Sequence, residues 1–326
     1  MTTLFEARTI SAVPQEMARG SRGRPPRLPT APKRPPRPPR PKPVLTQREL
    51  VARSIFLVIS AMLLALVLNV TILSQVQHLV AQQQLINDYR EQLAAGTAPV
   101  SEGDFDSHLL PDGAALGVLS IPSLGVNEVI VEGTSSTVLK DGPGHRRDTV
   151  LPGQVGVSVV MGRAAAFGGP FGRIQELAPG DTFHVRTGQG DQVFSVVGVR
   201  YAGDPLPSPP TAKQSRLVLE TARGPSFIPS GVAYVDTELI GIAKTAGVRQ
   251  TTYGALPPGS LAMESDTATV WALVFALQFL VLVEFGAVWA YRHVGTQKTW
   301  IVFAPLTVLA GLYVANQVTI LLPNLL

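Results

Sequence analysis

Three apolar stretches constrain this chain more than any other feature. Residues 55–73 run for about 19 positions without a charge, and residues 268–291 and 300–322 are two further apolar runs of about 23 residues. A bilayer core about 30 Å thick takes roughly 20 helical residues, so each run is long enough to cross it. Lipid supplies no hydrogen-bond partners, so such runs must be helical or belong to a closed barrel. Residues 54–74 are expected to form the first transmembrane helix, residues 268–291 the second and residues 300–322 the third, joined by a loop over 292–299. A secretory signal peptide has a shorter apolar core and a small-x-small cleavage site. The nearest such tripeptide, Leu79-Val80-Ala81, fits poorly. The first run therefore reads as an uncleaved anchor.

Charge orients these spans. The net charge of +4 over 326 residues is uneven, because most of the basic excess lies in residues 1–53. That segment is rich in proline and arginine and poor in apolar residues, so it is expected to be a disordered cytoplasmic tail with polyproline II character. Its basic residues would hold it at the inner membrane face, with docking of a cytoplasmic partner as the alternative role. The 292–299 loop is also basic, through Arg292 and Lys298, and is expected inside. The segment between spans one and two, and the C-terminus, then fall outside. Trp271, Trp289, Tyr291 and Trp300 sit near span ends, as interfacial aromatics do. The rest of the chain is near neutral or slightly acidic, so the sequence pI of about 9.5 argues for no nucleic-acid partner.

Beyond the first span, residues 75–115 read as an amphipathic stalk and linker. Val76, Leu79, Val80, Ile86 and Leu93 recur at helical spacing, and their stripe is expected to pack on the chain's own domain or on other membrane helices. From residue 116 the period changes to two. Strands are expected over residues 117–121, 127–131, 155–161, 182–186, 192–201, 216–221 and 232–242, with helical turns near 135–140 and 173–177. Seven or eight short strands with turn residues between them suit a small closed barrel over residues 116–242. A polar linker over residues 243–267 follows. The fold class is thus mainly β, an eight-stranded barrel with short helical turns, plus three transmembrane helices.

Chemistry in the barrel is marked by its motifs. The run Met161-Gly162-Arg163-Ala164, the strand Leu217-Val218-Leu219-Glu220-Thr221-Ala222 and the strand start Gly231-Val232-Ala233 follow Ile121-Pro122-Ser123-Leu124-Gly125 and Gly142-Pro143-Gly144-His145 in order. This order and spacing resemble the sortases of Gram-positive and actinobacterial cell envelopes. Sortases are cysteine transpeptidases in which a thiolate attacks the sorting signal, a histidine handles protons and an arginine stabilises the oxyanion. The resemblance implies an eight-stranded barrel. It also puts Arg163 where the family has its histidine, Ala222 where it has its cysteine, and Val232, or a residue next to it, where it has its arginine.

None of these three residues can perform the role so assigned. Alanine is no nucleophile, and a guanidinium stays charged to about pH 12 and does not accept a proton as imidazole does. The chain contains no cysteine, which also excludes disulfides and Cys-ligated zinc. Thr221 and Ser226 flank the cysteine position, but no histidine or lysine is placed by motif to activate either. His145 reads as a structural turn residue, Asp181 as a turn residue and His184 as a strand residue without a constellation. No phosphate loop and no metal-ligand spacing is present in the sequence, so neither cofactor nor metal is expected.

Binding residues are expected around the vacated groove. Arg163 and Thr221 would line it, and Asp204, Leu206 and Ser208 lie in a proline-stiffened loop over residues 203–210 that borders the sorting-signal groove in sortases. That loop would either hold a peptide or fill the groove itself. Arg163 needs a partner if enclosed, and Glu220, a backbone carbonyl or a partner's carboxylate are the candidates. Inside the spans, Asn69, Gln278, Asn316 and Gln317 are expected to hydrogen-bond between helices, and Glu284 calls for a partner or a wet path, or else snorkels or pairs with a basic residue at the membrane face. The leading expectation is a multi-pass membrane protein whose catalytically inactive barrel binds or scaffolds protein partners in the cell envelope, in an oligomeric state the sequence leaves open. Two alternatives remain: a transpeptidase or hydrolase with a non-standard nucleophile such as Thr221, and an accessory subunit of a transport or secretion complex.

Overall fold

A computed structural model describes residues 46–103 and 108–326. The tail over residues 1–45 and residues 104–107 of the linker lie outside the described residues. The chain divides into two compact units, Met1–Glu49 and Leu50–Leu326. In the first unit a capping box is described: Thr46 donates its amide to Glu49 at 2.7 Å, and the Glu49 amide returns to Thr46 Oγ1. There the helix α1 (Gln47–Leu68) begins.

A π-helical turn, Asn69–Leu73, joins α1 to α2 (Ser74–Ala95) without a break. Thr71 and Ser74 donate their hydroxyls to the carbonyls four residues back, at 2.7 Å each, within and beside this turn. Such back-bonding and the wider π geometry re-aim the helix surface. Asn69 is thereby turned inward and donates to Thr319 Oγ1 at 2.9 Å.

The stalk helix α2 packs on the barrel, one of the expected fates of its stripe, through only part of that stripe. Leu85, Ile86, Tyr89 and Leu93 cluster with Ala115, Val118 and Val129. Nearer the membrane helices the contact is polar. Gln82 bonds both the amide and the carbonyl of Val129, and His78 meets Glu128 and the Lys140 carbonyl. Val76, Leu79 and Val80 are instead exposed. Only the outer half of the expected apolar stripe is the packing face; the inner half is marked by Ser74, His78 and Gln82.

Eight strands follow: β1 (Ala115–Ile121), β2 (Val126–Glu132), β3 (Gly144–His145), β4 (Gly156–Met161), β5 (Thr182–Thr187), β6 (Gly190–Tyr201), β7 (Ser215–Arg223) and β8 (Gly231–Ile240). They close in the order β1-β2-β3-β4-β7-β8-β6-β5. β3, absent from the sequence expectation, is two residues long and bridges β2 and β4. Alternation sends Leu217, Leu219, Val235, Phe183 and Phe194 into one interior cluster, where the two phenyl rings stack at 5.8 Å. The short helix α3 (Ser136–Leu139) and the 3-10 turn Ile174–Glu176 occupy the expected helical positions.

Two more helices, α4 (Val270–His293) and α5 (Thr296–Ile320), form an antiparallel pair. Their connection is tight because Gly295 takes φ +105°, a conformation that favours glycine. Among the described residues, three helices are long and apolar enough to cross a membrane. After α5 the chain does not leave the molecule. Residues 321–326 turn back onto the barrel.

Candidate functional site

The three motif positions come together on one face of the barrel. β4 and β7 run parallel, with Met161 beside Glu220, and the Gly162 amide continues the ladder to the Glu220 carbonyl at 2.9 Å. A Cβ on Gly162 would stand 2.5 Å from the Phe171 ring, so the close approach demands glycine there. Arg163 follows. In the antiparallel β7–β8 ladder, Ala222 lies directly opposite Val232.

Arg163 is fully buried. Its Nη2 donates to the Ser136 carbonyl at 2.8 Å and to Ser136 Oγ at 2.7 Å, and its Nη1 donates to the Leu326 carbonyl oxygen at 3.3 Å. The guanidinium also lies 5.0 Å from the centre of the Phe167 ring. Nε has no partner. Burial pushes its pKa down to about 9, which leaves it charged at neutral pH. Of the partners the sequence suggested, backbone carbonyls are the ones found, and Glu220 is not among them.

The face is covered by the chain itself. The Ala164 amide donates to the Leu325 carbonyl at 2.8 Å and the Ala166 amide to Leu326 at 3.1 Å, so two backbone bonds tie the segment to the loop that follows β4. Asn324 anchors it by donating to the carbonyls of Thr134 and Leu261, at 2.8 and 2.9 Å. Leu325 and Leu326 then pack in one cluster with Met161, Val218 and Ala222, against which Val232 and Met263 also rest. Ala222 is 3 % exposed beneath them.

Two expected binding residues are corrected by this geometry. Thr221 has the parity of Leu217 and Leu219, so it faces the barrel interior, fully buried and with no partner for its hydroxyl. It is Glu220 that shares a face with Ala222. Arg163 likewise offers no surface to a ligand, because Ser136 and Leu326 occupy its donors. The bordering loop does not fill the groove. Asp204 closes a turn by accepting from the Tyr201 amide at 2.7 Å, Leu206 is 78 % exposed, and the Ser208 carbonyl accepts from Arg216 at 2.7 Å.

A charged cluster that sequence reasoning missed lies beside this face. Glu220, nearly buried, stands 3.7 Å from Arg146, which is paired with Asp148 at 2.7 Å. Arg200 pairs with Asp236 at 2.6 Å and lies over the Tyr234 ring at 4.1 Å. Burial raises the Glu220 carboxyl above its ordinary value, more than the nearby Arg146 and Arg200 lower it. The only sequence signal was an acidic residue within an otherwise apolar strand. His145 is structural as expected, bonded to Glu132 at 3.2 Å and to the Val150 carbonyl at 2.9 Å. His184 makes an exposed pair with Asp191 at 3.5 Å. Among the described residues no group of three or more metal-ligating side chains is found.

Of the polar residues named in the three apolar helices, Asn69 makes a bond between helices. Asn69 bonds Thr319, a residue the sequence reading had not named. Gln278 is exposed on α4, Gln317 is buried, and the Asn316 Oδ1 atom is buried without a partner. Side-chain hydroxyls were overlooked because threonine scarcely lowers the hydropathy of a span. Glu284 lines two clefts between the helices.

In comparison with known proteins, the family match falls on the barrel, short of β8. Residues 119–225 match the family model for the sortase domain. Sortase D of Bacillus subtilis (strain 168) is 33 % identical over 85 residues, 26 % of this chain, and the match spans 41 % of that relative's length. Among solved structures, a Clostridium perfringens sortase D5 transpeptidase is similar with TM-score 0.41 and 18 % identity, over 50 % of this chain and 99 % of that one. Sortase C of the same organism, solved with a C-terminal cell wall sorting motif, gives TM-score 0.38 and 24 % identity, covering 49 % of this chain and 88 % of that one. Sortase E1 of Streptomyces coelicolor, with a tripeptide in its active site, gives 0.35 and 23 %, covering 40 % and 91 %.

Proposed function

We propose that this chain, whose residues 119–225 match the sortase domain model, carries a sortase-like barrel that acts as a binding and scaffolding subunit of a cell-envelope membrane complex and carries out no transpeptidation. One observation carries the reading: the face that unites Arg163, Ala222 and Val232 is packed by the chain's own Leu325 and Leu326. Family chemistry needs a thiolate, a proton carrier and an open groove for an extended peptide. The chain has no cysteine, Arg163 is committed to carbonyls, and the groove side of Ala222 is filled. Thr221 offers no substitute nucleophile, since its hydroxyl points into the barrel core.

In this reading the three helices hold the barrel at the outer membrane face, with the basic connector holding Arg292 and Lys298 inside. The barrel then serves as a rigid block whose exposed surface, including the loop with Asp204, Leu206 and Ser208, meets other envelope proteins. The test is turnover. The full chain, purified in detergent or nanodiscs, is incubated with a fluorogenic sorting-signal peptide and an amine acceptor. No cleavage or transfer is expected above a no-protein control. Turnover that disappears in Thr221→Ala would sink the reading and make the chain an enzyme.

A further inference from the structure

One ionisable side chain lies within the membrane-spanning helices and is used by nothing around it. Glu284 on α4 stands eight residues before Arg292, about 12 Å along the helix at 1.5 Å per residue. It lines a cleft of about 700 Å³ between α4 and α5, together with Thr299, Trp300 and Phe303. It also lines a second cleft of about 310 Å³, closed on its other side by Ala61 and Ala65 of α1. Thr307 and Val308 belong to both, so the two clefts are lobes of one wedge with Glu284 at the junction. α1 meets α5 through the Asn69–Thr319 bond at the other end of the spans, which leaves the wedge open at this level.

Among the described residues Glu284 makes no hydrogen bond and no ion pair. A carboxyl at this depth is costly without a partner, and residues of this type in spans face a partner or a wet path. Among the described residues the wedge holds no cation paired with Glu284; Thr307, which lines both lobes, carries a hydroxyl and no positive charge. The α1 residues that line it are apolar, and Arg292, at the far end of the larger cleft, is not paired with Glu284. Acyl chains would fill the volume but donate no hydrogen bond. A second copy would bring no lysine or arginine at this depth either, because its own spans contain none between their ends.

We propose that the Glu284 wedge seats a transmembrane helix of a partner protein that carries a lysine or arginine level with Glu284. The proposal rests on the reading of this chain as a subunit of a membrane complex, and it says where in the bilayer that complex is held. The apolar lobes accept the helix surface, Glu284 pairs with its cation, and Arg292 repels a cation placed toward the other end, which fixes the helix in depth.

The test uses the full chain in proteoliposomes, labelled with a fluorescent donor at Thr296→Cys. Synthetic polyleucine transmembrane peptides carry an acceptor. One has a single lysine level with Glu284, one has the lysine seven residues nearer the Arg292 end, and one has none. Energy transfer to the first is expected to exceed that to the other two by about tenfold at equal peptide density. In Glu284→Gln the first peptide should fall to the level of the plain one. Equal transfer to all three peptides overturns the proposal and leaves the wedge to lipid, and a lysine preference that survives Glu284→Gln overturns it too. Glu284-dependent transfer between two labelled copies would assign the wedge to self-association instead. Peptide turnover by the barrel would leave this measurement untouched, so failure of the functional reading and failure of the wedge are separable.

Discussion

Ala222 faces Val232 across the β7–β8 ladder, and both lie under Leu325 and Leu326. The positions where the sequence resemblance would put a cysteine and an arginine are thus joined here into an apolar floor beneath the chain's own last described residues. A floor of this kind holds its cover by burial of side chains and by the two backbone bonds to Ala164 and Ala166.

That cover can be read out with a single thiol. In a chain free of cysteine, Ala222→Cys is expected to react slowly with a small maleimide in the native state, since the position is 3 % exposed. Deleting residues 323–326 in the same background should raise the labelling rate by at least about tenfold, the opening of a local contact worth more than 1.4 kcal/mol. Equal rates in the two proteins would mean that the segment does not shield the site.

Arg163 should be a stability residue. Arg163→Ala removes three hydrogen bonds and leaves the Ser136 carbonyl without its donor in a buried site. A loss of about 3 kcal/mol is expected, as for breaking other buried polar networks. Thermal unfolding of the full chain in detergent measures it. Unchanged melting, with loss of binding to an envelope partner, would return Arg163 to a recognition role.

Glu220 gives the barrel a pH dependence of known sign. Its folded pKa lies above the unfolded value because of burial, so the folded state holds the proton more tightly. The stability it contributes is complete below the unfolded value, near the ordinary 4.5, and is lost as pH rises through the raised folded value. Glu220→Gln should flatten that part of the stability–pH curve and leave the acid side unaltered. Chemical unfolding at a series of pH values, wild type against variant, decides it.

Orientation follows from the basic flanks and is checked by thiol labelling on intact cells. Ser226→Cys, exposed at the barrel surface, is expected to react with a membrane-impermeant reagent, and Thr296→Cys, at the start of α5 beside the α4–α5 connection, is expected not to. The reverse pattern would invert the topology.

The barrel and the spans were legible because their periods are strong. Leu217, Leu219 and Val235 alternate with residues of the opposite face, and the spans are apolar all round. β3 was not legible, since two residues carry no period. The inner half of the stalk was misread for a related reason: its packing face is written in Ser74, His78 and Gln82, which bond backbone and carboxylate instead of burying hydrocarbon. The cover over Ala222 left no local mark at all. Residues 321–322 read as the end of a span, and the contact of Leu325 with Ala164 joins positions more than 150 apart. The motif at Ala222 does not show which way Thr221 faces, whereas the parity of Leu217 and Leu219 points it inward.

The short return after α5 also sets a direction of approach. Ser136 on α3 bonds the Ile320 carbonyl, and Phe167 packs against Ile320, the last residue of α5. The motif face therefore looks down onto the ends of the helices, like the underside of an awning over a doorstep. In the proposed topology a molecule that lifted Leu325 and Leu326 away would arrive sideways, along the membrane surface, and a tether that kept it at that height would favour its entry over one arriving from above.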